Sequence, residues 1–387
     1  MSFRAENCAY EKWLKTQCDV VEDDLIYKHK RMQKNAFTFL RATFFRWAQR
    51  IKDECPDLAE APAVLSVGDV HIENFGTWRD REGRLVWGIN DFDEAADIPY
   101  PFDLVRLATS AILVPHRNFG MGKIAKAIFK GYQKGIAKPR PTLLDQQDTW
   151  MRPLVTCSDK ERLDFWTGVA AYPDAAPSRK AVRVLKKSLP ANSTIIRFAA
   201  RTRIGGVLAI AAWDGGRIVR EAKAFVPSAW PWANEGIAAP SRFLDLANGM
   251  YRSPDPHLDV REGFILRRLA ADSRKVELGG GRPFSPELLT AMAFDIGSIH
   301  AADQRCTAVR SDLSKRSAEW LYKGANRPDM RISACPPRPR CTTNVRRVSR
   351  LENEVLDRMA ERLRARPELL DRRREAVEHR SARSSNG

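Results

Sequence analysis

The chain is poor in the features that staple or anchor a fold. Its seven cysteines are scattered and odd in number, with no Cys-x-x-Cys pair. That pattern argues against a disulfide framework and fits reduced thiols in a cytoplasmic protein. No run of about 18 apolar residues occurs, so no membrane-spanning helix and no membrane partner are expected. The opening stretch MSFRAENCAYEKW has no apolar segment, so no signal peptide is expected. Internal repeats are missing. So is a complete Gly-x-Gly-x-x-Gly loop.

What is present is enough apolar material, 43% of 387 residues, for a sizeable core in one large or two medium domains. The formal charge is +17. Such a balance speaks to solubility and anionic partners, not to fold. Much of the excess follows residue 338, as at Arg346-Arg347 and Arg372-Arg373-Arg374. A solvated basic tail accounts for it, and contact with nucleic acid or an acidic surface is the alternative.

Periodicity predicts a helix over 24–52, whose apolar face holds Phe37, Phe39, Leu40, Phe44, Phe45 and Trp47. A short strand over 63–67 ends at Gly68-Asp69, and 75–91 reads as a hairpin with a polar turn at Asp80-Arg81-Glu82-Gly83. Residues 102–137 read as mostly helical. The proline-bearing stretch 138–192 reads as irregular, with a boundary near 190. From 194 three strands follow, separated by Gly205-Gly206 and Asp214-Gly215-Gly216, an antiparallel meander. A helix over 240–252, a strand over 263–270 and a helix over 285–304 capped by Ser285 come next. The tail reads as one helix around 347–365.

The chemistry concentrates in Gly68-Asp69-Val70-His71-Ile72-Glu73-Asn74. An Asp and an Asn five positions apart at a strand end can converge on one point. Phosphoryl transfer needs such a pair: the Asp orients a hydroxyl and accepts its proton, and the Asn oxygen holds magnesium. Asp91, at the end of the second hairpin strand, supplies the carboxylate that links the metal to phosphates. Two side-chain oxygens plus substrate phosphates suffice for magnesium. The alternative for Asp69 is a capping carboxylate in a strand-end turn.

The stretches GDVHIEN, INDFDEA and PFDLVRLA together resemble the catalytic region of aminoglycoside and choline phosphotransferases. The chain resembles more closely the bacterial family called domain of unknown function 2252, through AFTFLRA, GDVHIENFG, INDFDEA, FDLVRLATS, AKAFVPSA and IGSIHAAD, over about residues 25–310. The resemblance implies Asp69 as catalytic base, and Asn74 and Asp91 as metal ligands. It implies His71 as a donor to a phosphate oxygen and Asp103 as a scaffold holding the catalytic loop. Asp93 is either a further metal ligand or a solvated neighbour. Val67 departs from the pattern, standing where the phosphotransferases carry a loop-supporting His. His300 reads as a packed structural histidine, and His257 as loop surface.

In kinases the nucleotide-covering strands precede the catalytic loop, whereas here the meander follows it. Gly205 and Gly206 would cover phosphates through backbone N–H groups, Lys223 would pair with them, and Asp245 would orient that lysine. Lys223 shares a strand face with Val219, Glu221 and Phe225, a face that is either a cleft or solvent-exposed. The expectation is an α+β, protein-kinase-like two-lobe fold that is circularly permuted. It has a helical catalytic-loop lobe over 1–190, an antiparallel nucleotide-binding lobe over 191–284, returning helices over 285–334 and a basic tail over 335–387. The expected activity is phosphotransfer from ATP or another NTP, with magnesium, to an unknown hydroxyl acceptor. The acids Glu73, Asp93, Glu94 and Asp97 suggest a cationic acceptor. The alternatives are a kinase-fold protein that binds nucleotide or transfers nucleotidyl groups without kinase turnover, and a nucleic-acid-associated protein acting through its basic tail.

Overall fold

The computed structural model describes residues 2–115, 117–201, 206–275 and 284–326. The predicted tail helix, Gly205 and the Gly279–Gly281 cluster lie outside them.

Among the described residues ten strands form three antiparallel sheets. In chain order they are β1 (Ala63–Ser66), β2 (Phe75–Arg79), β3 (Leu85–Ile89), β4 (Ala96–Pro99), β5 (Thr142–Leu143), β6 (Thr194–Arg201), β7 (Gly206–Trp213), β8 (Gly216–Ala224), β9 (Asp259–Arg261) and β10 (Phe264–Leu269). β1 pairs with β4, and the β2–β3 hairpin adds β5. The remaining five form one sheet in the order β6-β7-β8-β10-β9. The predicted meander is therefore present, extended by a second hairpin.

The single helix expected over 24–52 is three helices, Glu22–Met32, Ala36–Ala42 and Phe44–Glu54. Asn35 restarts the chain as an N-cap, its side chain accepting from Thr38 N at 2.8 Å. Thr43 then leaves helical geometry. The apolar face runs across both breaks, which is why periodicity alone missed them. The stretch expected to be irregular over 138–192 holds the helices Asp159–Ala171 and Arg179–Ser188. The first starts at a Ser158–Glu161 capping box and the second at a Ser178 cap. Ser-x-x-Glu is a helix-start signal that the surrounding prolines outweighed. The helix expected over 240–252 is only Phe243–Ala247.

The main core surrounds the Pro101–Ile112, Met121–Ala137 and Pro286–His300 helices. The last two approach closely because Gly131 and Gly135 carry no Cβ. A Cβ at Gly131 would stand 2.1 Å from Thr290 O, and one at Gly135 2.2 Å from Phe294 O. One face of the five-stranded sheet packs on the Arg179–Ser188 helix through Ala209, Ala222 and Leu266. The opposite face carries Leu208, Ile210 and Val219. By strand alternation it also carries Glu221, Lys223 and Arg267. The next segment runs antiparallel beside β2, bridging Lys275 to Gly76. Only a glycine admits this approach, since a Cβ at Gly76 would stand 2.1 Å from Arg274 O.

Candidate active site

A cleft of about 1180 Å³ is lined by residues of the N-terminal helices, the 67–74 loop, the β2–β3 hairpin, β8, β10 and the 270–275 segment. Asp69, His71, Asp91, Asp93 and Lys223 all line it.

The loop that carries Asp69 is held from below by one helix. Val67 N and Gly68 N each donate to Asp103 at 2.9 Å. His300 Nε2 lies 3.2 Å from the same carboxylate, and its Nδ1 lies 3.0 Å from the Tyr132 hydroxyl. Asp103 is thus the expected scaffold and His300 the expected packed histidine. The support that Val67 cannot supply comes from a distant helix instead. Gly68 adopts a φ of +80°, where a Cβ would stand 2.5 Å from Glu94 O.

Asp69 Oδ1 accepts from Arg106 Nε at 2.9 Å and Nη2 at 2.5 Å. Burial pushes the Asp69 carboxyl up, opposed by the charge and hydrogen bonds of Arg106. Asp69 Oδ2 lies 3.9 Å from His71 Nε2. Burial, with Arg41, Arg106 and Lys275 nearby, holds His71 well below its ordinary pKa, so its imidazole is neutral at pH 7. His71 Nδ1 is buried and has no partner among the described residues.

Asn74 ties the two acidic segments together. Its amide nitrogen donates to the backbone carbonyl of Asp69 at 3.1 Å and to that of Asp91 at 3.2 Å. Among the described residues no donor reaches its oxygen, and Asn74 is buried and not among the residues that line the cleft. Asp91 and Asp93 face each other closely enough that Asp91 raises Asp93, in addition to the effect of burial. Burial disfavours charge on Asp91 too, but Lys275, Lys223 and Arg267 hold its carboxyl well below the usual range. Lys275 Nζ lies 3.1 Å from Asp91 Oδ2. Lys223 Nζ donates to Asp93 Oδ2, while Asp93 Oδ1 is buried with no partner among the described residues. Burial works against the Lys223 charge, but Asp93 and Asp91 push its pKa up to about 12.

Two carboxylates, one of them with an orphaned oxygen, and one amide oxygen are donor types that suit a hard cation. Among the described residues no group of three or more His, Cys, Asp or Glu forms a cage.

Several expectations need correction. Asp245 is not the partner of Lys223; it is exposed on a short helix whose buried face is Phe243, Leu246 and Ala247, and it pairs with Arg242 at 2.6 Å. The partner of Lys223 is Asp93, so Asp93 is no solvated neighbour. Gly206 is the first residue of β7, paired with Arg201, and does not line the cleft. Asp97 lies away from the cleft, paired with Arg242 and Arg305. Glu73 pairs with Arg41. Glu94 accepts from Ala229 N at 2.6 Å, and burial pushes its pKa to about 8. The acids that suggested a cationic acceptor are thus engaged, neutral or elsewhere.

Sequence reasoning missed four groups. Arg106 follows Asp103 by one helical turn, so its proximity to the loop was legible as an i, i+3 pair. Arg267 sits opposite Glu221 in the β8–β10 register. Glu221 is fully buried between Arg201 and Arg267, which hold its pKa at about 2. Lys275 lies in a loop, and no local pattern assigns its place.

Residues 20–162 match a family described as an uncharacterised protein conserved in bacteria (DUF2252). This stretch is shorter than the motifs suggested. It contains Asp69, His71, Asn74, Asp91, Asp93 and Arg106, whereas Lys223, Arg267, Lys275 and His300 lie beyond it. No curated protein and no solved structure matches the chain. Among the described residues no helix is long and apolar enough to cross a membrane.

Proposed function

We propose that the protein is an ATP- and magnesium-dependent phosphotransferase acting on a hydroxyl group. The reading includes a protein-kinase-like fold in circularly permuted order. Its chief support is Asn74, whose one amide joins the segments of Asp69 and Asp91. The placement of Lys223 at Asp93, 130 positions apart in sequence, supports the permuted order.

Asp69 Oδ2 accepts the acceptor's proton while Arg106 fixes Oδ1. The hydroxyl oxygen bonds to the γ-phosphorus as the bond to the departing nucleotide oxygen breaks. Lys223, Arg267 and Lys275 neutralise phosphate oxygens, and Glu221 positions Arg267. His71, neutral, donates one N–H and adds no charge. Asn74, Asp91 and Asp93 would hold the metal, which neutralises charge on the transferring phosphate. Lys223 and Lys275 then exchange carboxylate for phosphate partners.

Labelled ATP turnover with magnesium tests the reading. Asp69→Asn should lower it about 10²-fold or more, the usual contribution of a general base. Unchanged turnover removes the base assignment. Nucleotide binding without turnover is the second reading, favoured by the Arg106 clamp on Asp69. It predicts that magnesium ATP stabilises the protein, by about 2.7 kcal/mol at 100 times the dissociation constant, with no turnover at all.

A further inference from the structure

The cleft has a second charged end, which phosphate binding and proton transfer leave unused. The consecutive helices Glu22–Met32 and Ala36–Ala42 contribute Lys28, Arg31 and Arg41 to its lining. Lys28 Nζ lies 5.1 Å from the centre of the Tyr10 ring and 5.8 Å from that of Phe45. Those two rings stack at 4.2 Å. Among the described residues no carboxylate comes within ion-pair distance of Lys28. Aromatic faces stabilise an ammonium only partly, and burial lowers the Lys28 pKa. A lysine so placed gains most from an anion that a ligand brings.

Its neighbours share the condition. Arg31 sits 5.9 Å from the Tyr27 ring centre, with the Tyr27 hydroxyl 3.4 Å from Nη1 and no carboxylate in reach among the described residues. Arg41 gives one nitrogen to Glu73, while its Nε is buried and unpartnered among the described residues. The acids at this end do not cancel these cations. Glu73 is taken by Arg41, Glu94 accepts from Ala229 N, and Glu11 pairs with His29. Asp24 already has a partner, and Asp19 is exposed to solvent.

We propose that this end of the cleft binds an anionic group of the hydroxyl acceptor, a carboxylate or a phosphate, with Lys28 and Arg31 as the recognising cations. The word acceptor rests on the phosphotransferase reading; the anion site itself does not. Asp69 acts electrostatically on both Lys28 and Tyr10. Lys28 and Asp69 line the same cleft, so hydroxyl and anion belong to one small molecule. Tyr10 and Phe45 supply an apolar wall for its carbon skeleton.

Calorimetric titration of the full chain, without nucleotide or magnesium, tests the site with glycerol phosphate and glycerate as probes. At least one should bind, and the tighter of the two tells phosphate from carboxylate. Lys28→Met should weaken binding at least tenfold (about 1.4 kcal/mol), and Lys28→Arg should restore most of it. Lys275→Met, whose side chain meets Asp91 instead, should leave it intact. Should Lys28→Met fail to fold, Arg31→Met carries the same expectation. Absence of binding by both probes overturns the proposal, as does binding lost in Lys275→Met but kept in Lys28→Met. A second arm offers labelled ATP and a small-molecule extract separated by charge. Label entering the neutral or cationic fraction, indifferent to Lys28→Met, overturns the acceptor assignment and leaves the phosphotransferase standing. Anion binding with no label transfer anywhere leaves the anion site and removes the phosphotransferase.

Discussion

Asp103 and Arg106, one turn apart on the Pro101–Ile112 helix, grip the same loop in two ways. Asp103 accepts from the backbone of Val67 and Gly68, and Arg106 donates to the side chain of Asp69. One face of one helix therefore sets both the path of the loop and the orientation of its carboxylate. Both side chains are fully buried, whereas that of Asp69 is 22% exposed. The Asp69 carboxylate is presented to the cleft from a buried base.

Replacing Arg106 with Met should leave Asp69 unpaired and lower stability. Because Asp69 is partly solvated, the loss should fall below the 3–5 kcal/mol of a fully buried broken pair, at about 2 kcal/mol. Urea denaturation reads it. An unchanged midpoint at unchanged slope would show that the pair contributes no stability.

A second clamp holds the end of β3, two residues before Asp91. Arg252 reaches Asp295 at 2.8 Å and also donates to Ile89 O, while Ile89 N donates to Asp295 at 2.8 Å. Both charges are buried, so Arg252→Met should cost about 3–5 kcal/mol. The double variant with Asp295→Leu should recover much of that, since the orphaned carboxylate is gone. A double-mutant cycle showing simple additivity would contradict the coupling.

Gly68→Ala should be costly twice over. The residue must adopt φ +80°, and its new methyl meets Glu94 O at 2.5 Å. A loss of about 1–3 kcal/mol is expected from the backbone alone. Thermal unfolding measures it, and a variant as stable as the parent would refute the close approach.

Glu94 makes stability depend on pH. Its folded pKa of about 8 stands above the ordinary glutamate value of 4.5. Between those values the folded protein holds a proton that the unfolded chain has released, so stability falls as pH rises through that window. Glu94→Gln should flatten this part of the profile in urea titrations run from pH 5 to 8. An identical slope in both proteins would exclude Glu94 as its source.

Local pattern carried a good part of the molecule. The meander, the 75–91 hairpin and the Pro286–His300 helix follow from alternation, short glycine turns and a serine cap, all signals spanning a few residues. The helices of 138–192 went unread because prolines between elements look like prolines within a loop. Asp69, Asn74 and Asp91 stood out because a five-residue loop and a hairpin hold them close whatever the rest of the chain does.

The amino-acid sequence by itself determined the strands, the turn glycines and the convergence of Asp69 with Asn74, because these depend on backbone geometry over short separations. Tertiary structure alone decided which cation meets which acid. Lys275 reaches Asp91 across 184 positions, Lys223 reaches Asp93 across 130, and His300 reaches Asp103 across 197. Asp245, the partner that motif order suggested for Lys223, lost that place to Asp93. Charge pairing over such separations is set by how sheets and helices stack, and sequence spacing carries no record of it.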